Sequence, residues 1–214
     1  MERKENSILL RGTAAEAPVL SHRSRGLDFY RFPLEVPRLS GQVDRLNVLV
    51  PSGIFLPKEG DYVEVAGEVR SFNNRSGVGS RLVITVLART VSPGFGEPCN
   101  LVRLRGRLCR PPVRRRTPLG RDICDLLLAV DRRYRRSDYI PCIAWGALSY
   151  HCGGLEPGDP LWLEGRLQSR IYRKVIGEEV QERTAFEISV SALEEPAEEA
   201  EAPSADEAYP FFAP

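Results

Sequence analysis

The chain has 214 residues, 42% of them hydrophobic, enough for one large domain or two of about 100 residues each. Its net charge of +1 hides a division: residues 1–98 carry +2, residues 99–193 carry +6, and residues 194–214 hold seven carboxylates with no Lys or Arg, an asymmetry that points to a polyanionic partner or an interaction tail. Five cysteines without a CxxC argue against a disulfide framework or a zinc site. No run approaches the roughly 18 apolar residues of a membrane-spanning helix, so a cytoplasmic location is expected.

The first predicted strand, Asn6-Ser-Ile-Leu-Leu-Arg-Gly12, recurs 94 residues later as Asn100-Leu-Val-Arg-Leu-Arg-Gly106. The two halves stay in that register through Pro18-Val19 and Pro112-Val113, Gly26 and Gly120, Leu34 and Leu128, and Arg38 and Arg132. Two four-residue insertions in the second half then bring Gly67 onto Gly165 and Val86 onto Ile188. Such a repeat means two copies of one fold. In the first copy Phe29, Tyr30 and Phe32 fall in the second strand, with Phe32 expected in the core or at a barrel interface.

In the second copy Val102, Leu104, Gly106 and Leu108 alternate with Arg103, Arg105 and Arg107, which predicts a strand with its arginines facing outward. A turn-rich loop is expected over 114–120, then strands over 123–130 and 139–145, one or two helical turns over 147–152, and strands over 161–172 and 184–193 joined by a charged hairpin near Gly177. Five strands with a short helical insert between the third and fourth follow the chain order of an OB-fold barrel. The expected fold is all-β: two tandem five-stranded OB-fold barrels, residues 1–95 and 99–193, with a disordered acidic tail over 194–214.

Strand parity places Tyr139 and Trp145, six residues apart, on one face, and Arg166, Arg170 and Tyr172 on another shared face. Aromatic rings beside a cationic track are what a sequence-tolerant binder of single strands needs. The candidate phosphate contacts are Arg103, Arg105 and Arg107 on the first strand, Arg114, Arg115 and Arg116 in the loop, Arg132 and Arg133 beside Tyr134, and Arg166 and Arg170. Only His22 and His151 could act as general bases near neutral pH, and neither a carboxylate cluster with metal-ligand spacing nor a phosphate-cradling motif occurs. No enzyme activity, metal or cofactor is therefore expected. The adjacent His151-Cys152 reads as structural.

The stretches Asn100-Leu-Val-Arg-Leu-Arg-Gly-Arg-Leu108, Pro118-Leu-Gly120, Leu128-Ala-Val-Asp-Arg-Arg-Tyr134, Tyr139-Ile-Pro-Cys-Ile-Ala-Trp-Gly146 and Glu164-Gly-Arg-Leu-Gln-Ser-Arg170 together resemble the bacterial single-stranded-DNA-binding protein family. The first half resembles it mainly through the second. The resemblance implies base stacking at Tyr134, Tyr139, Trp145 and Tyr172 and places Trp162 in subunit contact or packing. It implies binding and protection of single-stranded DNA in replication, recombination and repair, and location with the nucleoid. In the repeat register those four positions become Ser40, Arg45, Pro51 and Asn74, so the first barrel reads as a partner imitating a second subunit, with Arg45 or Arg75 left as phosphate contacts. Residues Asp206, Glu207, Tyr209, Pro210 and Phe211 resemble the family's acidic, Pro-Phe-ended docking tip for replication and repair proteins, although Phe212-Ala213-Pro214 follow. Two barrels per chain imply a homodimer with four. The competing readings are an OB-fold adaptor of the replication-restart type and an RNA-binding OB protein.

Overall fold

Alternating apolar and polar residues give each copy strands with one face inside. The computed structural model describes residues 6–74, 82–132, 136–176 and 179–194. The first copy contains β1 (Asn6–Ala14), β2 (Val19–Ser24), β3 (Leu27–Pro37), β4 (Val43–Pro51), β5 (Tyr62–Asn73) and β6 (Leu82–Pro93). The second contains β7 (Cys99–Leu108), β8 (Val113–Arg116), β9 (Asp122–Arg132), β10 (Arg136–Trp145), the short helix α1 (Ala147–Cys152), β11 (Pro160–Ile176) and β12 (Glu179–Glu194). Residues 114–116, expected in a loop, instead belong to β8, which pairs with β9 from Val113 opposite Asp125 to Arg116 opposite Asp122. A fully exposed strand has no inward apolar face to betray it, so alternation alone could not find β8. It is an edge strand added to the five that close the barrel, and β2 is its counterpart.

The repeat is reproduced contact by contact. β4 and β6 pair in parallel through Val48 opposite Val86, and β10 and β12 through Cys142 opposite Ile188. Each barrel is tied by an asparagine at the start of its first strand. Asn6 bonds both backbone groups of Val69, and Asn100 bonds both of Leu167. Close-approach glycines recur as well. A Cβ on Gly12 or Gly106 would lie 2.2 or 2.6 Å from a carbonyl oxygen of the next strand, and one on Gly67 or Gly165 would lie 2.3 Å from one. Both cores are largely aliphatic, with Phe32 buried in the first as its sequence position suggested.

The two barrels form one 12-stranded sheet through antiparallel pairing of β1 with β7. Ile8 stands opposite Val102, its own counterpart in the repeat. The junction therefore has an internal twofold axis, the arrangement of an isologous dimer written into one chain. Off the axis the symmetry continues in side chains. The Ser71 N–H donates to buried Asp138 Oδ1 (2.7 Å) and the Tyr139 N–H to Ser71 Oγ (2.7 Å). In the mirror position the Ser169 N–H donates to buried Asp44 Oδ1 (2.9 Å) and the Arg45 N–H to Ser169 Oγ (3.1 Å). Arg70 and Arg132 donate to Asp138, and Arg38 donates to Asp44.

Candidate nucleic-acid interface

The twofold junction leaves a groove of about 1530 Å³ where the β3–β4 turn of the first barrel faces the β8–β9 turn of the second. Leu39 and Leu119, both exposed, mark the tips of the two turns. Six arginines line it, Arg38 and Arg45 from the first barrel and Arg115, Arg121, Arg166 and Arg170 from the second, against Glu187 as the one acidic residue among the described lining. Trp145 lies in this groove opposite Ile123 on β9. Its indole Nε1–H donates to Ser189 Oγ at 3.1 Å, which fixes the ring's orientation.

The arginines are not equivalent. Arg38 is held by Asp44, whose hydrogen bond pushes the guanidinium pKa further up, and Arg45 is shared between Glu16 and Glu35. Arg115 forks onto Asp125, with Nη2 to Oδ1 at 3.1 Å. Arg170 lies 3.8 Å from Glu187, its guanidinium 5.9 Å from the centre of the Tyr172 ring. Arg121 and Arg166 form no ion pair with a described carboxylate, and the buried Nε–H of Arg166 has no acceptor among the described atoms. A buried donor without a partner carries a desolvation cost that an incoming acceptor would relieve. Arg121 and Arg166 are thus the cations of the groove most available to a phosphate.

The structure separates the residues that the sequence grouped. Of the expected stacking residues that are described, only Trp145 lines the groove. Tyr139, 49% exposed, lies on the same strand but at the junction with the first barrel, about 20 Å of strand away. Tyr172 extends past the groove on β11 beside Arg170. Tyr134 and Arg133 lie outside the described residues, as do Arg75 and the tail residues Asp206, Glu207, Tyr209, Pro210 and Phe211. Arg103, Arg105 and Arg107 face outward as expected but line a different surface. Arg103 pairs with Glu164 at 2.9 Å, Arg105 lies 4.7 Å over the Trp162 ring, and Arg107 donates to the Gly158 carbonyl. Arg114 stacks on Tyr150 at 4.0 Å, Arg116 binds Asp122, and Arg132 binds Asp138. Hydrogen bonds from Arg116 and Tyr150 hold the Asp122 carboxyl below the usual carboxylate range.

Phe186, Arg121 and Gln168 belong to the groove and were not singled out by sequence. Arg121 follows Gly120 in the turn beside the 114–116 cluster, so its signal was present. Phe186 falls on a strand where apolar residues are ordinary, and it also packs on the core. The buried thiol of Cys152 is pushed up to about 11 by burial, leaving the neighbouring exposed His151 no nucleophile to activate. No described helix is long and apolar enough to cross a membrane.

A closed β-barrel with a cationic, aromatic-floored groove is the build of an OB-fold nucleic-acid-binding module. The pattern of the Single-strand binding protein family matches residues 99–195. The match takes in the second barrel, less than half of the chain. Among curated proteins it is 32% identical over 102 residues to Single-stranded DNA-binding protein 2 of Listeria innocua, covering 44% of this chain and 64% of that one. It is 34% identical over 88 residues to Single-stranded DNA-binding protein A of Bacillus subtilis, covering 38% and 51% respectively. The chain thus spans between half and two thirds of these relatives' lengths. The wild-type single-stranded DNA binding protein from Thermus aquaticus superposes with a TM-score of 0.70 at 25% identity, over 89% of this chain and 92% of that one, so the likeness takes in both barrels.

Proposed function

We propose that the chain binds single-stranded DNA without sequence preference, as a binding protein and not an enzyme, along the groove between its barrels. The observation that carries this reading is the groove itself: six arginines against one glutamate around a Trp145 ring held in fixed orientation. Bases stack on Trp145 while Arg121, Arg166 and Arg170 take the phosphates, and every base offers a ring face, so the contact tolerates any sequence. The first barrel is a working wall of that groove through Arg38, Leu39 and Arg45, as well as a structural partner. Two chains assemble with four barrels, the outer face of the central strands being the surface left for that contact. The acidic segment 194–214 competes with DNA for the arginines and offers its Pro-Phe sequence to replication and repair proteins in the cytoplasm.

Titration with oligo-dT, oligo-U and duplex DNA, followed by tryptophan fluorescence, tests the reading. Quenching by oligo-dT at low salt, lost as salt rises, with duplex bound much more weakly, is the expected result. A chain that ignores single strands, or holds duplex as tightly, refutes it. Tighter binding of oligo-U would move the assignment to RNA.

A further inference from the structure

The internal twofold axis implies that the groove has a counterpart on the opposite side of the junction. The repeat register says which residues occupy it. Arg45 is replaced there by Tyr139, Arg170 by Phe72, Ile123 by Phe29, Trp145 by Pro51 and Arg166 by Glu68. Where the first groove holds Arg45, Arg170 and Ile123, the counterpart holds rings, beside Arg132 and Arg70 in the places of Arg38 and Gln168.

Its geometry can be followed residue by residue. Phe29 stands opposite Pro51 in the β3–β4 ladder, and its ring stacks on His22 with centroids 4.9 Å apart and planes within 2°. At the other end Phe72, 53% exposed, directly follows Ser71, the residue whose hydroxyl accepts the Tyr139 N–H at 2.7 Å. Two half-exposed rings from different barrels therefore flank one hydrogen-bonded junction. Glu68, which would repel a polyanion, is engaged by Arg70 and Arg89. Arg31, exposed on the same side of β3 as Phe29, brings a cation to the rings. Phe72 faces water, whereas Phe29 is half-buried against His22.

We propose that this counterpart cleft is a second single-strand contact site, in which Phe72 and Phe29 of the first barrel and Tyr139 of the second stack bases of the strand that leaves the groove at Trp145. The inference rests on the DNA-binding reading above and deepens it. Neither Phe29 nor Phe72 falls on a family position; in this barrel those positions hold Ser40, Arg45, Pro51 and Asn74, without a ring. The site uses other rings on the face that the twofold axis presents. The occupant is single-stranded DNA because ring faces with Arg31 beside them suit bases and the phosphates that join them.

The test compares oligo-dT of about 8 nucleotides, which one barrel can hold, with oligo-dT of about 30, which needs both. The full chain is used throughout. Phe72→Ala removes a half-exposed ring, so the core is untouched. It should leave the short oligomer bound as by the parent, weaken the long one by about 5- to 150-fold and shorten the length occluded at saturation. Phe72→Tyr keeps a ring face and should restore both. Trp145→Ala should weaken both lengths. Parent-like binding of both lengths by Phe72→Ala overturns the second site and leaves the groove reading standing, as does equal weakening of both. Unchanged DNA binding with a lower sedimenting mass overturns it in favour of protein association at the rings. A parent chain that binds neither oligomer refutes the groove reading itself.

Discussion

Asp138 holds three groups at the barrel junction: the Ser71 N–H, the Arg70 guanidinium and, more loosely, Arg132. It is fully buried, so removing the carboxylate leaves the buried Ser71 N–H without its acceptor and takes one partner each from Arg70 and Arg132. Asp138→Ala should cost about 3 kcal/mol in urea unfolding, with Tyr139→Ala nearly neutral because its ring is half exposed and its N–H remains. Arginine chemistry divides in the same way. Arg121→Ala and Arg166→Ala should each flatten the salt dependence of DNA binding by about one unit of log–log slope. Arg103→Ala, which loses only its pair with Glu164, should leave that slope unchanged. The sequence showed which way these side chains point, since parity is local. It could not show that Arg103 meets a carboxylate 61 residues away, or that of Tyr139 and Trp145, which share a face, Trp145 lines the groove and Tyr139 does not.

At the scale of elements, strand order and the position of α1 were legible because both follow from apolar alternation and from Gly-Pro punctuation. The edge strand β8 was not, because its residues face water on both sides. The repeated glycines were visible only as matches, and the structure gives their physical reason: strands cross at these points with no room for a side chain. A Cβ on Gly165 would meet the Ser189 carbonyl oxygen at 2.3 Å, beside the β11–β12 bulge between Glu164 and Gly165. The obstacle is backbone, which cannot rotate away as a side-chain end could. Gly165→Ala should destabilise the chain by about 1–3 kcal/mol, read from the midpoint of chemical unfolding. Gly154→Ala is the control, since its nearest atom would be 3.6 Å away, and its midpoint should match the parent's.

For the molecule as a whole, the internal twofold axis makes a prediction about the second barrel alone. β7 pairs with β1 around Ile8 opposite Val102, and the two are equivalent in the repeat, so a β7 strand is shaped to pair with another β7 in the same register. Excised residues 99–195 would otherwise expose that edge, an open invitation to association. In a pair centred on Val102, Asn100 would stand opposite Leu104, and no arginine of β7 would face another directly. The staple transfers too: Asp138 would meet the backbone of the partner subunit's Ser169, because Ser169 occupies in this barrel the place Ser71 holds in the first. The excised barrel should therefore sediment as a dimer, and Asp138→Ala in that fragment should shift it toward monomer, since the same carboxylate now crosses between chains. A folded, monodisperse monomer would mean that the first barrel supplies contacts at the junction that its counterpart cannot reproduce. Dimerisation would show that the tandem chain is a joined form of the same pairing.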